Sequence, residues 1–220
     1  TKKGDWATAG YTVSLQYSAN NGTSWTTLTS GFAAALGTWS WNIGQSIPTS
    51  NNQALIRIQG DTPYTVVLDD SNLPFTVKGQ VILGQPDAAG IELHVGDPYS
   101  ITWTRFGSVA QVNLFYSTDN GSTYPNPVNT GGPVDATLGT FAWPAGVPNQ
   151  IVGNVMRVKV VDAANAVVVD TSANPFEITG KLVLNAPNGS VDCVVGSPCT
   201  IQWTPTGTFQ NTVTLQYTVD

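Results

Sequence analysis

Apolar and polar residues alternate in short runs along this chain. Ile91, Leu93 and Val95 interleave with Glu92 and His94, and Tyr99, Ile101 and Trp103 interleave with Ser100 and Thr102. In the next run Val112, Leu114 and Tyr116 share one face, opposite Asn113 and Phe115. Period-two spacing of this kind predicts half-buried strands. Asp119-Asn120-Gly121 follows, and Asn-Gly readily supplies the positive φ angles of a tight hairpin. Further strands are predicted over Leu138–Trp143 and Val155–Val161, the second burying Met156, Val158 and Val160 while exposing Arg157 and Lys159. Gln80–Gly84 opens this set, and Ala166–Asp170 and Pro175–Ile178 close it. Roughly seven to nine short strands separated by turns predict an all-β sandwich, because each half-buried sheet needs a partner for its apolar face.

The same pattern returns about every 100 residues. Val13-Ser14-Leu15-Gln16-Tyr17 reappears as Val112-Asn113-Leu114-Phe115-Tyr116, and again as Val213-Thr214-Leu215-Gln216-Tyr217. Leu36–Trp41 matches Leu138–Trp143, and Val66–Phe75 matches Val167–Phe176. A unit of about 100 residues can bury its own core, so these repeats are expected as beads rather than as a solenoid stack. The expected domains are 1–78, lacking its first strands, a complete domain over 79–179, and the N-terminal part of a third over 180–220. The missing strands are expected from further chain or from a neighbouring copy in a polymer. A head-to-tail contact that never closes would then give an open filament. Only Gly79 and Gly180 stand at the junctions, with no Pro/Ser-rich linker, so neighbouring beads are expected to be closely coupled.

Composition narrows the classes of function. The net charge is −6, and among 14 acidic residues only Glu92 and Glu177 are not Asp. Eight scattered Lys and Arg cannot build a phosphate-tracking surface, which argues against nucleic acid as a partner. No run approaches the ~18 apolar residues of a membrane span, so no membrane insertion is expected of this segment.

The order of these runs has a family likeness. Ile101-x-Trp103-Thr104 followed by Val112-x-Leu114-x-Tyr116 resembles the early strands of fibronectin type III and related Ig-like modules. Gly139–Pro144, Val155-Met156-Arg157-Val158, Asp170-x-Ser172 and Pro175-Phe176-x-Ile178 extend the likeness. In that order they look like the Ig-like domain of Ser/Thr-rich, GPI-anchored fungal cell-wall proteins. Similar units occur in tandem in large bacterial surface proteins. The resemblance implies tandem Ig-like, fibronectin III-like sandwiches and a cell-surface or extracellular role, carried by residues that specify fold rather than a site.

Cysteine supplies the sharpest local signal. Cys193-Val194-Val195-Gly196-Ser197-Pro198-Cys199 aligns with Leu93–Tyr99, so both members of an apparent cross-strand pair change to Cys together. A disulfide replacing an apolar contact would look like this, and closing so short a loop stabilises by about 2.4 kcal/mol in the chain-entropy model. The alternative is a pair of buried thiols in a reducing compartment. A metal site needs further ligands, and the single His, His94, lies in another repeat.

Ser117-Thr118-Asp119-Asn120-Gly121-Ser122-Thr123-Tyr124 fits the Asp-box pattern of sialidase-type β-propellers, and Ser18–Trp25 is a weaker copy. In propellers the motif folds a hairpin and is not catalytic, and a blade period of about 40–50 residues is half the period seen here. Asn21, Asn120 and Asn188 also head glycosylation sequons. Asp69, Asp70, Asp162 and Asp170 near strand ends are read as solvated loop acids, with calcium ligation between beads as the alternative. Trp41, Trp143, Trp103 and Trp203 fall on apolar faces and are expected in cores. Trp6, Trp25 and Trp39 lie outside that set, and Trp25 with its counterpart Tyr124 forms the one plausible ligand contact, beside an exposed hairpin. His94, Glu92 and Glu177 give no support to acid–base or nucleophilic catalysis.

The leading expectation is therefore a structural or adhesive segment of a long extracellular repeat protein, non-enzymatic and without a cofactor. Its expected partners are neighbouring copies or further repeats of the same chain. An array of carbohydrate-binding modules recognising cell-wall or matrix polysaccharide is the alternative.

Overall fold

The structure is a computed structural model and describes residues 10–144, 151–208 and 212–218. Among the described residues the strands pair antiparallel except for one parallel pair, and the contacts fall into two units. The first is Thr1–Gln80 with Arg105–Val109; the second is Val81–Thr104 with Ala110–Asp220.

The first unit is built around β1 (Thr12–Ser18), which pairs with β2 (Thr26–Ala33) and β3 (Ser50–Gly60). Two short strands, β4 (Leu68–Asp70) and β5 (Phe75–Val77), both pair with β3. Alternation along β1 puts Val13 and Tyr17 inside. Tyr17, Ala54 and Val77 form the buried cluster, with Leu28, Trp41, Ile47, Ile56 and Phe75 packed against it.

In the second unit one sheet contains β9 (Gln111–Ser117), β13 (Gly153–Asp162), β15 (Phe176–Thr179) and β7 (Glu92–His94) in that order. Short strands β10 (Asn126–Pro127) and β11 (Val134–Asp135) pair with β9, and β14 (Val169–Thr171) pairs with β13. A three-stranded sheet carries β12 (Thr140–Pro144), β8 (Pro98–Phe106) and β6 (Gln80–Gln85). The apolar faces meet as the alternation demands: Val112, Leu114, Tyr116, Met156, Val158 and Val160 are all fully buried. Ring contacts join the two sheets, with Tyr116 and Trp143 centroids 5.6 Å apart and Trp143 and Phe176 at 6.3 Å. A hairpin of β16 (Lys181–Ala186) and β17 (Gln202–Thr206) follows.

Two strand expectations and one core expectation need correction. Leu138 is not in a strand: Ala136–Leu138 forms a 3₁₀ turn capped by Asp135, whose carboxylate accepts from Thr137 N at 2.8 Å. The run over Ala166–Asp170 begins with a turn, and only Val169–Thr171 pairs as a strand. Trp203 is not in a core. It is 37% exposed, whereas its counterpart Trp103 is 4% exposed.

Candidate functional site

The two units carry the same hairpin, built by the same side chains. Ser117 Oγ donates to Asp119 Oδ1 (2.6 Å) and accepts from Gly121 N (2.8 Å). Asp119 then accepts from Thr123 N (2.9 Å) and Thr123 Oγ1 (2.6 Å). In the first unit Ser18 Oγ donates to Asn20 Oδ1 (2.9 Å) and accepts from Gly22 N (2.8 Å), and Asn20 Oδ1 accepts from Ser24 N (2.9 Å). Asn21 and Asn120 hold φ of 54° and 59°, the left-handed geometry that Asn tolerates better than most residues. The Ser117 hydroxyl, then the Thr123 hydroxyl and N–H, pull the Asp119 carboxyl down from 3.8 to about 2.

Each turn delivers its aromatic residue onto a strand cation. The Arg57 guanidinium lies 4.1 Å from the Trp25 ring centroid. The Lys159 ammonium lies 4.7 Å from the Tyr124 centroid and 5.1 Å from that of Phe115. Strand register explains both placements. Lys159 stands opposite Phe115 across the β13–β9 pair and opposite Thr171 across β13–β14. Arg57 stands opposite Gln16 and Asp70. Such contacts contribute about 0.5–1 kcal/mol at exposed positions. Sequence reasoning named Trp25 and Tyr124 but missed Arg57 and Lys159. The available signal was that both occupy the same place in the repeat.

The two sites differ behind the cation. Asp70 grips Arg57 at both ends, with Nε–Oδ1 at 2.6 Å and Nη2–Oδ2 at 2.8 Å. That grip holds the Asp70 carboxyl below its ordinary range and raises Arg57. Thr171 takes the place of Asp70 in the second unit, beside Tyr124, whose phenol burial pushes upward. There Arg157 ties the turn down instead, donating from Nε to Asn120 Oδ1 (2.9 Å) and from Nη1 to the Ser172 carbonyl.

The remaining candidates are placed separately. Asp170 accepts from Leu83 N (2.8 Å) and Thr171 N (2.9 Å), and Asp162 accepts from Ala164 N (2.9 Å). Asp69 is exposed on β4. Among the described residues no three of His, Cys, Asp and Glu gather closely enough to hold a metal ion. His94 Nδ1 lies 2.6 Å from Thr179 Oγ1. Glu92 and Glu177 face each other across the parallel β7–β15 pair, both exposed. Asn188, third of the sequons, donates to the Leu184 carbonyl (3.3 Å). Trp39 is half-buried in the first unit, and Trp6 lies outside the described residues.

Cys193 and Cys199 form a disulfide, with Cα atoms 5.5 Å apart. Neither lies in a strand, so the bridge closes an exposed turn around Gly196 rather than replacing a buried cross-strand contact. Among the described residues no helix is long and apolar enough to cross a membrane. No protein-family model matches this chain, and no curated protein matches it.

Proposed function

We propose that this chain is a structural or adhesive segment of a long extracellular repeat protein, built from tandem Ig-like, fibronectin III-like sandwiches divided near residues 78 and 179. The observation that carries this reading is the recurrence of one hydrogen-bonded frame in both units. Ser71 accepts from Ile56 N (2.8 Å) and donates to its carbonyl (3.1 Å). Ser172 does the same at Val158, at 2.8 and 3.3 Å. With the paired Ser18 and Ser117 turns, the repeated polar chemistry secures strands and hairpins rather than aiming reactive groups at a common point. The disulfide supports an oxidising, extracellular setting.

Residues 79–179 expressed alone should unfold in one cooperative transition with a β-type circular-dichroism spectrum. A helical spectrum or an unfolded chain would remove the repeat reading. The alternative, a carbohydrate-binding array, has one observation in its favour: the Trp25 ring is only half-buried. Arg57 covers one face of that ring, leaving a single side for a sugar. Cell-wall and matrix polysaccharides tested against the whole chain separate the two. The structural reading expects no binding that Trp25→Ala and Tyr124→Ala abolish.

A further inference from the structure

Two apolar surfaces of this chain have complementary counterparts buried against each other inside its second unit. On the β16–β17 hairpin, Leu182 and Leu184 share a face with Ile201 and Trp203, because Leu184 pairs directly with Trp203. All four are 37–50% exposed. One period earlier stand Val81, Leu83, Ile101 and Trp103, each at most 4% exposed. The second surface is a groove in the first unit lined by Val13, Leu15, Phe32, Ala34, Trp39 and Ile58. Ile58 is 43% exposed there, while its counterpart Val160 is fully buried.

What covers the equivalent groove in the second unit is Trp103. Its indole Nε1 donates to the Ala136 carbonyl at 3.0 Å, and its backbone N donates to the Gly139 carbonyl at 2.9 Å. Ala34 and Gly37 occupy the same places in the first unit. Gly37 and Gly139 share φ near +65°, yet a Cβ on Gly139 would meet the Trp103 carbonyl at 3.2 Å and one on Gly37 would meet nothing within 4 Å. β12 is a strand because it pairs with β8, with Phe141 opposite Ile101. The matching stretch around Trp39 forms no strand.

We infer that the β16–β17 hairpin of one copy docks on the first-unit groove of a second copy, with Trp203 seated over Ala34 and Gly37. The inference rests on the repeat reading proposed above and names the partner, a second copy of this chain. Trp203 Nε1 then donates to the Ala34 carbonyl, its backbone N donates to the Gly37 carbonyl, and Ile201 pairs with Trp39. A hydrogen-bond acceptor is matched as well. Asp170 receives the Leu83 N–H at 2.8 Å, and its counterpart Asp69 faces the position of the Leu184 N–H. At 37–50% exposure, Trp203 and its three aliphatic neighbours have about 400 Å² to remove from water on the hairpin. A matching area in the groove brings the total to about 800 Å², the size of a weak contact that a polymer holds by repetition. Residues 212–218 repeat the β1 pattern, and β1 already holds that place, so the junction uses 181–206 alone. Hairpin and groove are different surfaces, so the contact is heterologous and propagates head to tail.

Sedimentation velocity of the whole chain across the micromolar range tests this. The wild type should self-associate, and Trp203→Ala on the hairpin or Ile58→Lys in the groove should each weaken association at least about tenfold. Mixed one to one, the variants should restore association but stop at two chains, since the Ile58→Lys copy keeps its hairpin and the Trp203→Ala copy keeps its groove. That restoration also shows that both variants are folded. A wild type that stays monomeric overturns the inference, as does undiminished association of either variant or a mixture that stays monomeric. A monomer whose Trp203 fluorescence is that of a buried indole, meaning closure within one molecule, overturns it too. None of these failures touches the repeat reading, which stands or falls on the isolated 79–179 unit.

Discussion

The hairpin site of the first unit and that of the second share a frame and differ in their charges. In both, a serine at the strand end caps the turn, an Asn-Gly pair reverses the chain, and an aromatic ring lies on a strand cation. In the first, the cation is Arg57 gripped by Asp70; in the second it is Lys159 between two rings, with Thr171 where the acid would stand. The difference separates what the fold requires from what it leaves free. Backbone groups that cannot be left unpaired are served by the same residue type twice. The exposed layer above them changes with little consequence.

The strongest way to break this comparison is to remove the frame. Ser172 is 1% exposed and accepts from Val158 N at 2.8 Å. Ser172→Ala leaves that buried N–H unpaired and should cost about 1–3 kcal/mol. Ser71 is only half-buried, so water reaches the freed Ile56 N–H. Ser71→Ala should therefore cost no more than about 1 kcal/mol. Denaturant midpoints of the two variants check the ranking, and equal losses would show that burial does not set it.

The turn glycines come next. Gly22 and Gly121 hold φ of +83° and +85°, where any other residue is strained. Either Gly→Ala change should cost about 1–2 kcal/mol from backbone strain alone. At Gly121 the new Cβ also lies 2.9 Å from Arg157 Cδ and 3.0 Å from the Tyr124 hydroxyl. At Gly22 its nearest neighbour is Trp25 Cζ2 at 3.6 Å. Gly121→Ala should thus be the costlier by a few tenths of a kcal/mol, since those side-chain ends can move aside. Thermal unfolding of the pair resolves it.

These cases also show what is legible in a sequence of this kind. The alternation of Val112, Leu114 and Tyr116 reports a buried face directly, because strand geometry converts spacing into side. Asn120-Gly121 reports its turn for an equally local reason. Cys193 and Cys199 stand out because both members of a pair changed together. The Arg57–Trp25 and Lys159–Tyr124 contacts bring together residues more than 30 positions apart, and only strand register places them. Leu138 fits an apolar pattern but is fixed by the Asp135 cap into a 3₁₀ turn. Trp203 repeats Trp103 in sequence, yet its burial depends on an opposing sheet that local spacing does not describe.

Acid sharpens the comparison without changing a packed atom. Asp119 releases its proton more readily in the folded hairpin than in the unfolded chain, its carboxyl lying at about 2 instead of 3.8. Its stabilising effect is therefore fully present above pH 3.8 and is lost as pH falls toward 2. The first hairpin carries Asn20 at this place and does not titrate there. Amide exchange should show Gly121 and Thr123 losing protection over that window while Gly22 and Ser24 keep theirs. Asp119→Asn should remove the acid sensitivity of the second hairpin, and its persistence would locate the titration elsewhere.

The smallest effect belongs to the charge behind the cation. Asp70 and Arg57 are partly exposed, at 35% and 24% for their side chains, and an ion pair of that kind contributes about 0.2–1 kcal/mol, less in high salt. Asp70→Thr converts the first site to the second site's pattern and should cost that much at low ionic strength, with the difference shrinking as salt screens it. The reciprocal change, Thr171→Asp, places an acid opposite Lys159. It also removes the Thr171 hydroxyl from Tyr124, so its net effect should fall within about 0.5 kcal/mol of zero. Ammonium and carboxylate lack the two-pronged fit of Arg57 with Asp70, and side-chain entropy offsets most of their attraction. Salt titration of denaturant midpoints measures both changes. A gain above about 1 kcal/mol from Thr171→Asp would mean that the carboxylate, rather than its geometric match to arginine, is what stabilises the first site.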